Sequence, residues 1–370
     1  MSSLSRIVVV VGTRPEAVKL APVVHELHAA KWAQVRLVAT AQHRELLDAQ
    51  LAHFGLVVDR DLDVMRPGQS LAELTGRLFT ALDPVLADER PDLVLAQGDT
   101  TTVLVAAMAA FYRGIPFGHV EAGLRTGDLA QPFPEEANRV LVARLATLHF
   151  APTAGAREHL LREGVAADRV HVTGNPAIDA LLWTAARTGP SEYTPAAGRH
   201  LVLVTAHRRE SFGAPLLRVC AALRTLAARG DVDVLFPVHA NPQVRDAVYH
   251  ELAGVAGVRL VAPLAYGAMV AAMRASTLIL TDSGGVQEEA PSLGKPVLVL
   301  RETTERPEGV AAGVAQIVGT DTGRIVAAAT RLLHDGAARA AMSAPANPYG
   351  DGQAARRIVA VLQDHLRAGR

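Results

Sequence analysis

The sequence predicts an α/β protein built from two Rossmann-like domains, and three observations support this prediction. Apolar runs of strand length alternate with amphipathic helical segments, which indicates βα units and parallel sheets. The alternation is broken at residues 187–199, where Gly, Pro, Ser and Thr replace the periodic pattern. A chain of 370 residues is also long enough for two ordinary domains, each with its own core.

The first domain is predicted to span residues 1–186. Its strands are expected at the apolar runs 7–11, 35–40, 93–96, 117–120, 148–151 and 170–173. A linker is predicted at residues 187–199, and a second domain at residues 200–345. The strands of the second domain are expected at 201–205, 233–238, 258–261, 277–281 and 297–300. Residues 346–370 read as a loop and an amphipathic helix left over once the second sheet is complete, so we expect this helix to cross back to the first domain.

Composition restricts the possible partners and the compartment. Lys+Arg and Asp+Glu are both 37, so the formal net charge is zero, and neither nucleic acid nor an anionic membrane is an expected partner. The single cysteine, Cys220, excludes a disulfide framework and a cysteine-rich metal site. No apolar run approaches the roughly 18 residues of a membrane span, and no signal peptide is recognised. The protein is therefore expected to be soluble and cytoplasmic.

A glycine-rich turn in the second domain indicates a nucleotide site. The sequence TDSGGVQEE follows an apolar strand, and Ser283 is a natural N-cap for the helix that comes next. Gly284 and Gly285 would let a diphosphate approach the free backbone amides at the helix start. A carboxylate behind this turn would repel phosphate unless it contacts something uncharged, such as ribose hydroxyls. Neither G-x-G-x-x-G nor a Walker loop is present, so a nicotinamide cofactor is disfavoured.

The first strand is followed by a second candidate anion site, GTRPE, with a lysine one turn into the helix that Pro15 opens. Arg14 and Lys19 would both face the expected cleft and could clamp a diphosphate. The alternative is a capped helix that carries surface charges.

Three carboxylates follow strands of the first domain. Asp99 lies in QGDTTT, Glu121 in HVEAGLRTGD, and Glu135 in PFPEEANR. Since the carboxyl ends of parallel strands meet at one edge of a sheet, these groups are expected to converge there and to raise one another's pKa, as a general acid and base require. Asp99 has the alternative of capping the next helix. His119-x-Glu121 resembles a zinc deaminase signature, which needs cysteine ligands that this chain lacks, so no metal is expected.

His207 follows the first strand of the second domain in the sequence TAHRRES. A histidine with arginines beside it suits a protonated group that meets a leaving diphosphate. The alternative is a structural histidine. The argument for a functional role is weaker for His239, which lies in PVHANP.

Taken together, the motifs resemble one known family. In chain order they are GTRPEAVKLAP, AQHRELLD, QGDTTT, HVEAGLRTGD, PFPEEANR, TGNPAIDAL, TAHRRES, PVHANP, TDSGGVQEEAPSLGKP and TTERPE. They resemble the non-hydrolysing UDP-N-acetylglucosamine 2-epimerases over residues 6 to about 357. The resemblance implies a GT-B-like fold, with two Rossmann-like domains whose parallel sheets face a central cleft. It also implies a cytoplasmic homodimeric isomerase that needs no cofactor and supplies ManNAc precursors for cell-surface polysaccharide biosynthesis.

The same resemblance implies the role of each site residue. The reaction is reversible C2 epimerisation of UDP-GlcNAc to UDP-ManNAc, through elimination of UDP to 2-acetamidoglucal and re-addition. The residues that match catalytic positions are Asp99, Glu121, Glu135 and His207. Those that match UDP-binding positions are Arg14, Lys19, Ser283, Gly284, Gly285, Glu289 and Arg306, with Glu289 on the ribose. Those that match a second, activating UDP-GlcNAc site are Gln42, His43, Arg208 and His239.

Two departures and three alternatives accompany the resemblance. Leu264 and Met269 stand at uracil-contacting positions where some relatives have an aromatic residue, and Gly68 stands where some strongly activated relatives carry arginine. A hydrolysing epimerase that releases free ManNAc and UDP would share the fold. A GT-B glycosyltransferase would need an acceptor groove and has no use for three clustered carboxylates. A non-catalytic sensor of nucleotide sugars would need none of them.

Overall fold

The computed structural model describes residues 4–40, 44–208, 211–344 and 347–368. The chain divides into two compact units, one of Met1–Ala180 together with Gly350–Arg370 and one of Leu181–Tyr349. Each unit contains a parallel sheet with helices between its strands, so the α/β class predicted from the sequence is confirmed. The division falls within a helix just before the linker predicted at residues 187–199. No helix in the described ranges is long and apolar enough to cross a membrane.

Within the described residues, seven strands form the sheet of the first unit. They are β1 (Ser5–Val11), β2 (Ala33–Ala39), β3 (Arg60–Asp61), β4 (Leu93–Gln97), β5 (Phe117–Val120), β6 (Leu148–Ala151) and β7 (Val170–Val172). All pairings are parallel, and the order is β3-β2-β1-β4-β5-β6-β7. The order reverses between β1 and β4, so the loops after these two strands diverge and leave a crevice at their carboxyl ends. β3 is absent from the sequence prediction because two exposed residues give no apolar run.

Seven helices accompany these strands in the described residues. They are α1 (Arg14–Ala29), α2 (Arg44–His53), α3 (Leu71–Glu89), α4 (Thr101–Tyr112), α5 (Glu135–Leu145), α6 (Ala154–Arg162) and α7 (Pro176–Arg187). Ser70 caps α3 by accepting a hydrogen bond from the Glu73 N–H, while the Glu73 carboxylate accepts one from the Ser70 N–H. The buried face of α3 is a row of leucines at four-residue spacing, Leu74, Leu78, Leu82 and Leu86.

The second unit repeats the same strand order. Its strands are β8 (His200–Thr205), β9 (Val232–Pro237), β10 (Val258–Val261), β11 (Leu278–Thr281), β12 (Val297–Val299) and β13 (Ala315–Ile317). They form a parallel sheet in the order β10-β9-β8-β11-β12-β13, so the reversal lies between β8 and β11. β13 was missed by the sequence prediction because it has three residues, only one of them fully buried.

The helices of the second unit lie between its strands and after the last of them. They are α8 (Ala214–Ala227), α9 (Pro242–Leu252), α10 (Tyr266–Ala275), α11 (Gly284–Glu289), α12 (Pro307–Ala311), α13 (Thr322–His334) and α14 (Gly336–Ser343). The core between sheet and helices is apolar and includes Cys220, whose thiol pKa burial raises to about 12. This cysteine is therefore a packing residue rather than a nucleophile.

The chain ends with α15 (Ala354–Ala368), which packs against α1 of the first unit. The start of this helix is held by Asp179 on α7, which accepts hydrogen bonds from the backbone N–H groups of Ala354 at 3.2 Å and Ala355 at 2.9 Å. A carboxylate at a helix start satisfies amides that have no partner within the helix.

The turn after β5 depends on glycine at position 123, where replacement by alanine is expected to destabilise the protein. Gly123 has φ +90°, and a Cβ there would lie 2.2 Å from the carbonyl oxygen of Ala156. Gly127→Ala is the matched control, since Gly127 has φ +83° but no atom within 4 Å of the added Cβ. We expect about 1–2 kcal/mol from backbone strain in both variants and about 1–3 kcal/mol more in Gly123→Ala from the clash. Urea titration measures the free energy of unfolding of both variants. Equal losses in the two would contradict the steric explanation.

Candidate active site

Glu121 follows β5 and is held by three hydrogen-bond donors. Its Oε1 lies 2.6 Å from Lys19 Nζ and accepts a hydrogen bond from Asn175 Nδ2 at 2.9 Å. Its Oε2 accepts a short hydrogen bond from Gln97 Nε2. The side chain is buried, and an ammonium group together with two amide donors favours its carboxylate form. Glu121 therefore has a fixed position at the carboxyl end of the sheet.

The backbone of Glu121 is also unusual. Its φ is +64°, in the left-handed region that costs a residue with a side chain about 1–2 kcal/mol. A strained residue persists only where its surroundings determine it, and here the three contacts of the carboxylate do so. Strain at a buried strand end in a ligand crevice is typical of a functional position.

Asp99 follows β4, the strand that pairs with β5. Its carboxylate forms an ion pair with Arg139 on α5, and its backbone carbonyl accepts a hydrogen bond from Asn138 Nδ2 at 2.8 Å. The N-cap of α4 is Thr100, whose hydroxyl accepts a hydrogen bond from the Val103 N–H at 3.4 Å. The alternative that Asp99 merely caps the next helix is therefore wrong, because its neighbour does so.

The two adjacent glutamates at the start of α5 have different surroundings. Glu136 is buried and accepts hydrogen bonds from the backbone N–H groups of Thr126 at 3.0 Å and Gly127 at 3.1 Å. Its carboxylate thus anchors the preceding loop. Glu135 is half-buried, and its side chain forms no hydrogen bond or ion pair with any residue that the structure describes. Of the two, Glu135 is the carboxylate left available for chemistry.

The loop after β1 is closed by a carboxylate that the sequence prediction did not single out. Glu16 is buried, and its Oε2 accepts hydrogen bonds from the N–H groups of Gly12 at 2.5 Å and Thr13 at 3.2 Å. Burial raises the pKa of Glu16 to about 7, although these bonds oppose the shift. Arg14 has no side-chain partner among the described residues, so it is free to meet an anion. Lys19, by contrast, faces Glu121.

His119, one residue before Val120 at the end of β5, belongs to the core. Its Nε2 lies 2.7 Å from the carbonyl oxygen of Gly98, and burial lowers the pKa of His119 to about 4. The ring is therefore neutral at physiological pH and supports the turn that presents Asp99.

His207 follows β8, at the strand reversal of the second sheet. Its Nδ1 lies 3.1 Å from Oδ1 of Asp282, which follows the neighbouring strand β11. Its ring stacks on His239, with 5.7 Å between centroids and 22° between planes. His239, predicted from the family resemblance to belong to an activator site, thus touches the histidine predicted to be catalytic.

The glycine-rich turn begins α11, and Ser283 occupies the N-cap position as predicted. Its hydroxyl makes no capping bond, so the first amides of this helix receive none from it. Two guanidinium groups lie beside Gly284: a Cβ on this residue would be 3.6 Å from Arg208 Nη2 and 3.8 Å from Arg306 Cζ. Gly285 is open, with only Ser283 Oγ at 3.9 Å. The turn therefore combines open backbone with two cations.

Two acidic residues of α11 have separate partners. Glu288 is buried and forms an ion pair with Arg306 Nε. Glu289 accepts a hydrogen bond from the hydroxyl of Tyr266 at 3.1 Å through its Oε1. The carboxylate of Glu289 is thus oriented from α10, whereas that of Glu288 holds one of the two arginines.

The structure adds functional candidates that the sequence prediction missed. They are Gln97, Arg139, Asn175, Asp282 and Glu288. Each lies in or beside a motif recognised from the sequence, and two of them, Gln97 and Asp282, stand directly at a strand end, which was the signal available. Gln42 and His43 of the predicted activator site lie outside the described residues.

Comparisons with known proteins agree on one family. A family model described as UDP-N-acetylglucosamine 2-epimerase matches residues 25–363. The UDP-N-acetylglucosamine 2-epimerase of Salmonella typhimurium is 50% identical, over 97% of this chain and 99% of that protein. The crystal structure of UDP-GlcNAc 2-epimerase from Neisseria meningitidis bound to UDP-GlcNAc is 44% identical, with a TM-score of 0.89 over 97% of this chain and 100% of that one. The Methanocaldococcus jannaschii enzyme, in complex with UDP-GlcNAc and UDP, is 31% identical with a TM-score of 0.80, over 97% and 99%. The fold is accordingly GT-B-like.

Proposed function

Since the chain belongs to the UDP-N-acetylglucosamine 2-epimerase family, we propose that it interconverts UDP-GlcNAc and UDP-ManNAc and does so without releasing the sugar from UDP. The observation that carries this proposal is the pair of carboxylates at the carboxyl ends of the adjacent strands β4 and β5. Glu121 is held in place by Lys19, Gln97 and Asn175, and Asp99 follows the adjacent strand. A binding protein or a glycosyltransferase has no need of this arrangement.

The chemistry of the substrate explains why carboxylates are needed. The C2 proton of GlcNAc is not adjacent to a carbonyl group, so direct enolisation is not available. Elimination avoids this difficulty: a base takes the C2 proton, the C2–H electron pair forms the C1=C2 double bond, and the C1–O pair leaves with UDP. The product is 2-acetamidoglucal. Re-addition of UDP at C1, with protonation of C2 from the opposite face, gives the epimer.

The residues of each unit suit one part of this reaction. Asp99, Glu121 and Glu135 are the proposed acid and base groups. Asp99 forms an ion pair with Arg139, and Glu121 forms one with Lys19. Glu135 has no such partner among the described residues.

The proposed diphosphate ligands offer positive charge, a hydroxyl group or the open backbone of the glycine-rich turn. They are Arg14, Ser283, Gly284, Gly285, Arg306 and His207, with Glu289 on the ribose. Arg208 joins this group because its guanidinium lies beside Gly284. Cations aimed at the departing diphosphate stabilise the charge that develops as the C1–O bond breaks.

Incubation of the enzyme with UDP-GlcNAc in heavy water tests the proposal. We expect deuterium at C2 of both UDP-GlcNAc and UDP-ManNAc, with UDP still attached to the sugar, as followed by NMR and mass spectrometry. Stoichiometric free UDP and ManNAc would instead establish a hydrolysing epimerase. The absence of exchange with any 2-acetamido UDP-sugar would remove the epimerase reaction altogether.

Four further features implied by the family stay predictions. They are the cytoplasmic location, the homodimer, the supply of cell-surface polysaccharide biosynthesis and the activator site. A homodimer is supported by large apolar side chains that are exposed on the neighbouring helices α4 and α5, namely Phe111, Tyr112 and Leu141.

A further inference from the structure

Asp282 contacts both the backbone and the ring of His207. Its Oδ2 accepts hydrogen bonds from the backbone N–H groups of His207 and Arg208, both at 2.8 Å. Its Oδ1 faces the ring at 3.1 Å from His207 Nδ1, within ion-pair distance but without the alignment of a hydrogen bond, and no other described residue bonds to it. The carboxylate is fully buried, whereas the ring is about one-third exposed, at 36%. Oδ2 therefore holds the turn after β8, and Oδ1 faces the imidazole of His207.

Asp282 is held in its charged form. Burial alone would raise its pKa, but the hydrogen bonds from His207 and from the backbone N–H groups of Arg208 and His207 outweigh it and lower the pKa below the ordinary value. A carboxylate can only accept, so it requires a proton on Nδ1 of the imidazole. The free ring is thereby set in the Nδ1–H tautomer, with Nε2 facing away from Asp282.

The imidazole of His239 stacks on the His207 ring and is itself uncharged. Burial and the neighbouring His207 lower the pKa of His239, so this second imidazole is neutral at physiological pH. A neutral aromatic ring stacked at 5.7 Å tolerates a cationic imidazole beside it. Arg208 is the remaining charged neighbour of His207 among the described residues of this turn, and it points to Gly284.

We propose that Asp282 is a positioning residue that makes His207 an imidazolium when a nucleoside diphosphate binds. This rests on the proposed function, which places the diphosphate at His207. A ring between two anions must present one proton to each: Nδ1–H to Asp282 and Nε2–H to a diphosphate oxygen. Only the doubly protonated ring does this. The protein therefore places a positive charge on the leaving group, where a neutral histidine would supply only a dipole.

Asp282→Asn separates this role from packing. The two backbone N–H groups require an oxygen at the Oδ2 position, so the amide keeps its oxygen there and turns its NH₂ toward His207 Nδ1. The ring must then accept at Nδ1 and carry its proton on Nε2. It still donates to the diphosphate, but without charge. We expect kcat to fall by about 10²-fold or more, and UDP affinity to fall by about tenfold, because a ring that is protonated when UDP binds strengthens that binding in return.

The tautomer is measured directly by long-range ¹H–¹⁵N correlation NMR of the ¹⁵N-histidine-labelled protein, with His207→Gln to assign the signal. We expect Nδ1–H in the free protein, both nitrogens protonated with saturating UDP at pH 7.5, and Nε2–H in Asp282→Asn. Asp321→Asn is the matched control, since Asp321 also accepts a backbone N–H, from Arg324 at 2.8 Å, but caps α13, which follows the edge strand β13. It should leave tautomer and kcat unchanged.

An Nε2–H ring in the free native protein, a neutral ring in the UDP complex, or an Asp282→Asn variant with native kcat would each overturn the inference. The two measurements on the native protein decide the matter even if the variant fails to fold. They need only UDP binding, so they also remain decisive if the heavy-water experiment shows no epimerisation.

Discussion

Replacing Glu121 by glutamine is expected to lower kcat by about 10²- to 10⁴-fold, the range typical of losing a general acid or base. The amide has the size of the carboxylate but cannot take up a proton at neutral pH. It would also place an NH₂ group against donors that now converge on the two oxygens, from Lys19, Gln97 and Asn175. Initial rates of UDP-ManNAc formation, measured by NMR, check this result, and calorimetry should show that UDP still binds.

Glu89→Gln is a suitable control for the loss of charge. Glu89 is also an ion-paired carboxylate of the first unit, at 3.4 Å from both Arg36 Nε and Arg60 Nε. It ends α3 just before β4 begins, at the amino edge of the sheet, so it cannot take part in chemistry at the carboxyl edge. We expect near-native turnover. If Glu121→Gln were as active as Glu89→Gln, Glu121 would have no role as acid or base.

The positions of the proposed catalytic carboxylates follow from the sequence because strand ends can be read from it. Asp99 and Glu121 come directly after apolar runs, and parallel pairing of β4 with β5 brings those ends together. The parallel sheets were likewise implied by the alternation of strands and helices. β3 and β13 escaped prediction because β3 has two exposed residues and β13 has only one buried residue, so neither forms an apolar run.

What surrounds the carboxylates could not be read in this way. Lys19 and Glu121 are 102 residues apart, so their contact is a product of the tertiary fold. The same holds for Asp282 and His207, 75 residues apart. Sequence reasoning expected Arg14 and Lys19 to act as one clamp, because both follow β1. One turn of helix separates them, and the structure turns Lys19 toward Glu121. The sequence thus predicts which strand end each charged residue follows, but not which residue it contacts.

Arg306 is expected to have two separable roles, one in stability and one in binding UDP. Its Nε forms an ion pair with the buried carboxylate of Glu288, and its Cζ would lie 3.8 Å from a Cβ on Gly284. Arg306→Met keeps most of the side-chain volume but removes the guanidinium from both places. We expect the free energy of unfolding to fall by about 3 kcal/mol, because a buried charge loses its counter-ion. We also expect UDP to bind about 10²-fold more weakly, because a charge-assisted contact to phosphate is lost.

The double variant Arg306→Met with Glu288→Gln distinguishes the two roles. Removing both charges of a buried pair costs much less than removing one, so the double variant should regain most of the lost unfolding free energy in urea titrations. Its affinity for UDP, measured by calorimetry, should stay as low as in Arg306→Met, because the diphosphate still lacks its cation. If affinity returned together with stability, Arg306 would serve only to neutralise Glu288. The phosphate contact would then belong to Arg208 and the open amides of Gly284 and Gly285 alone.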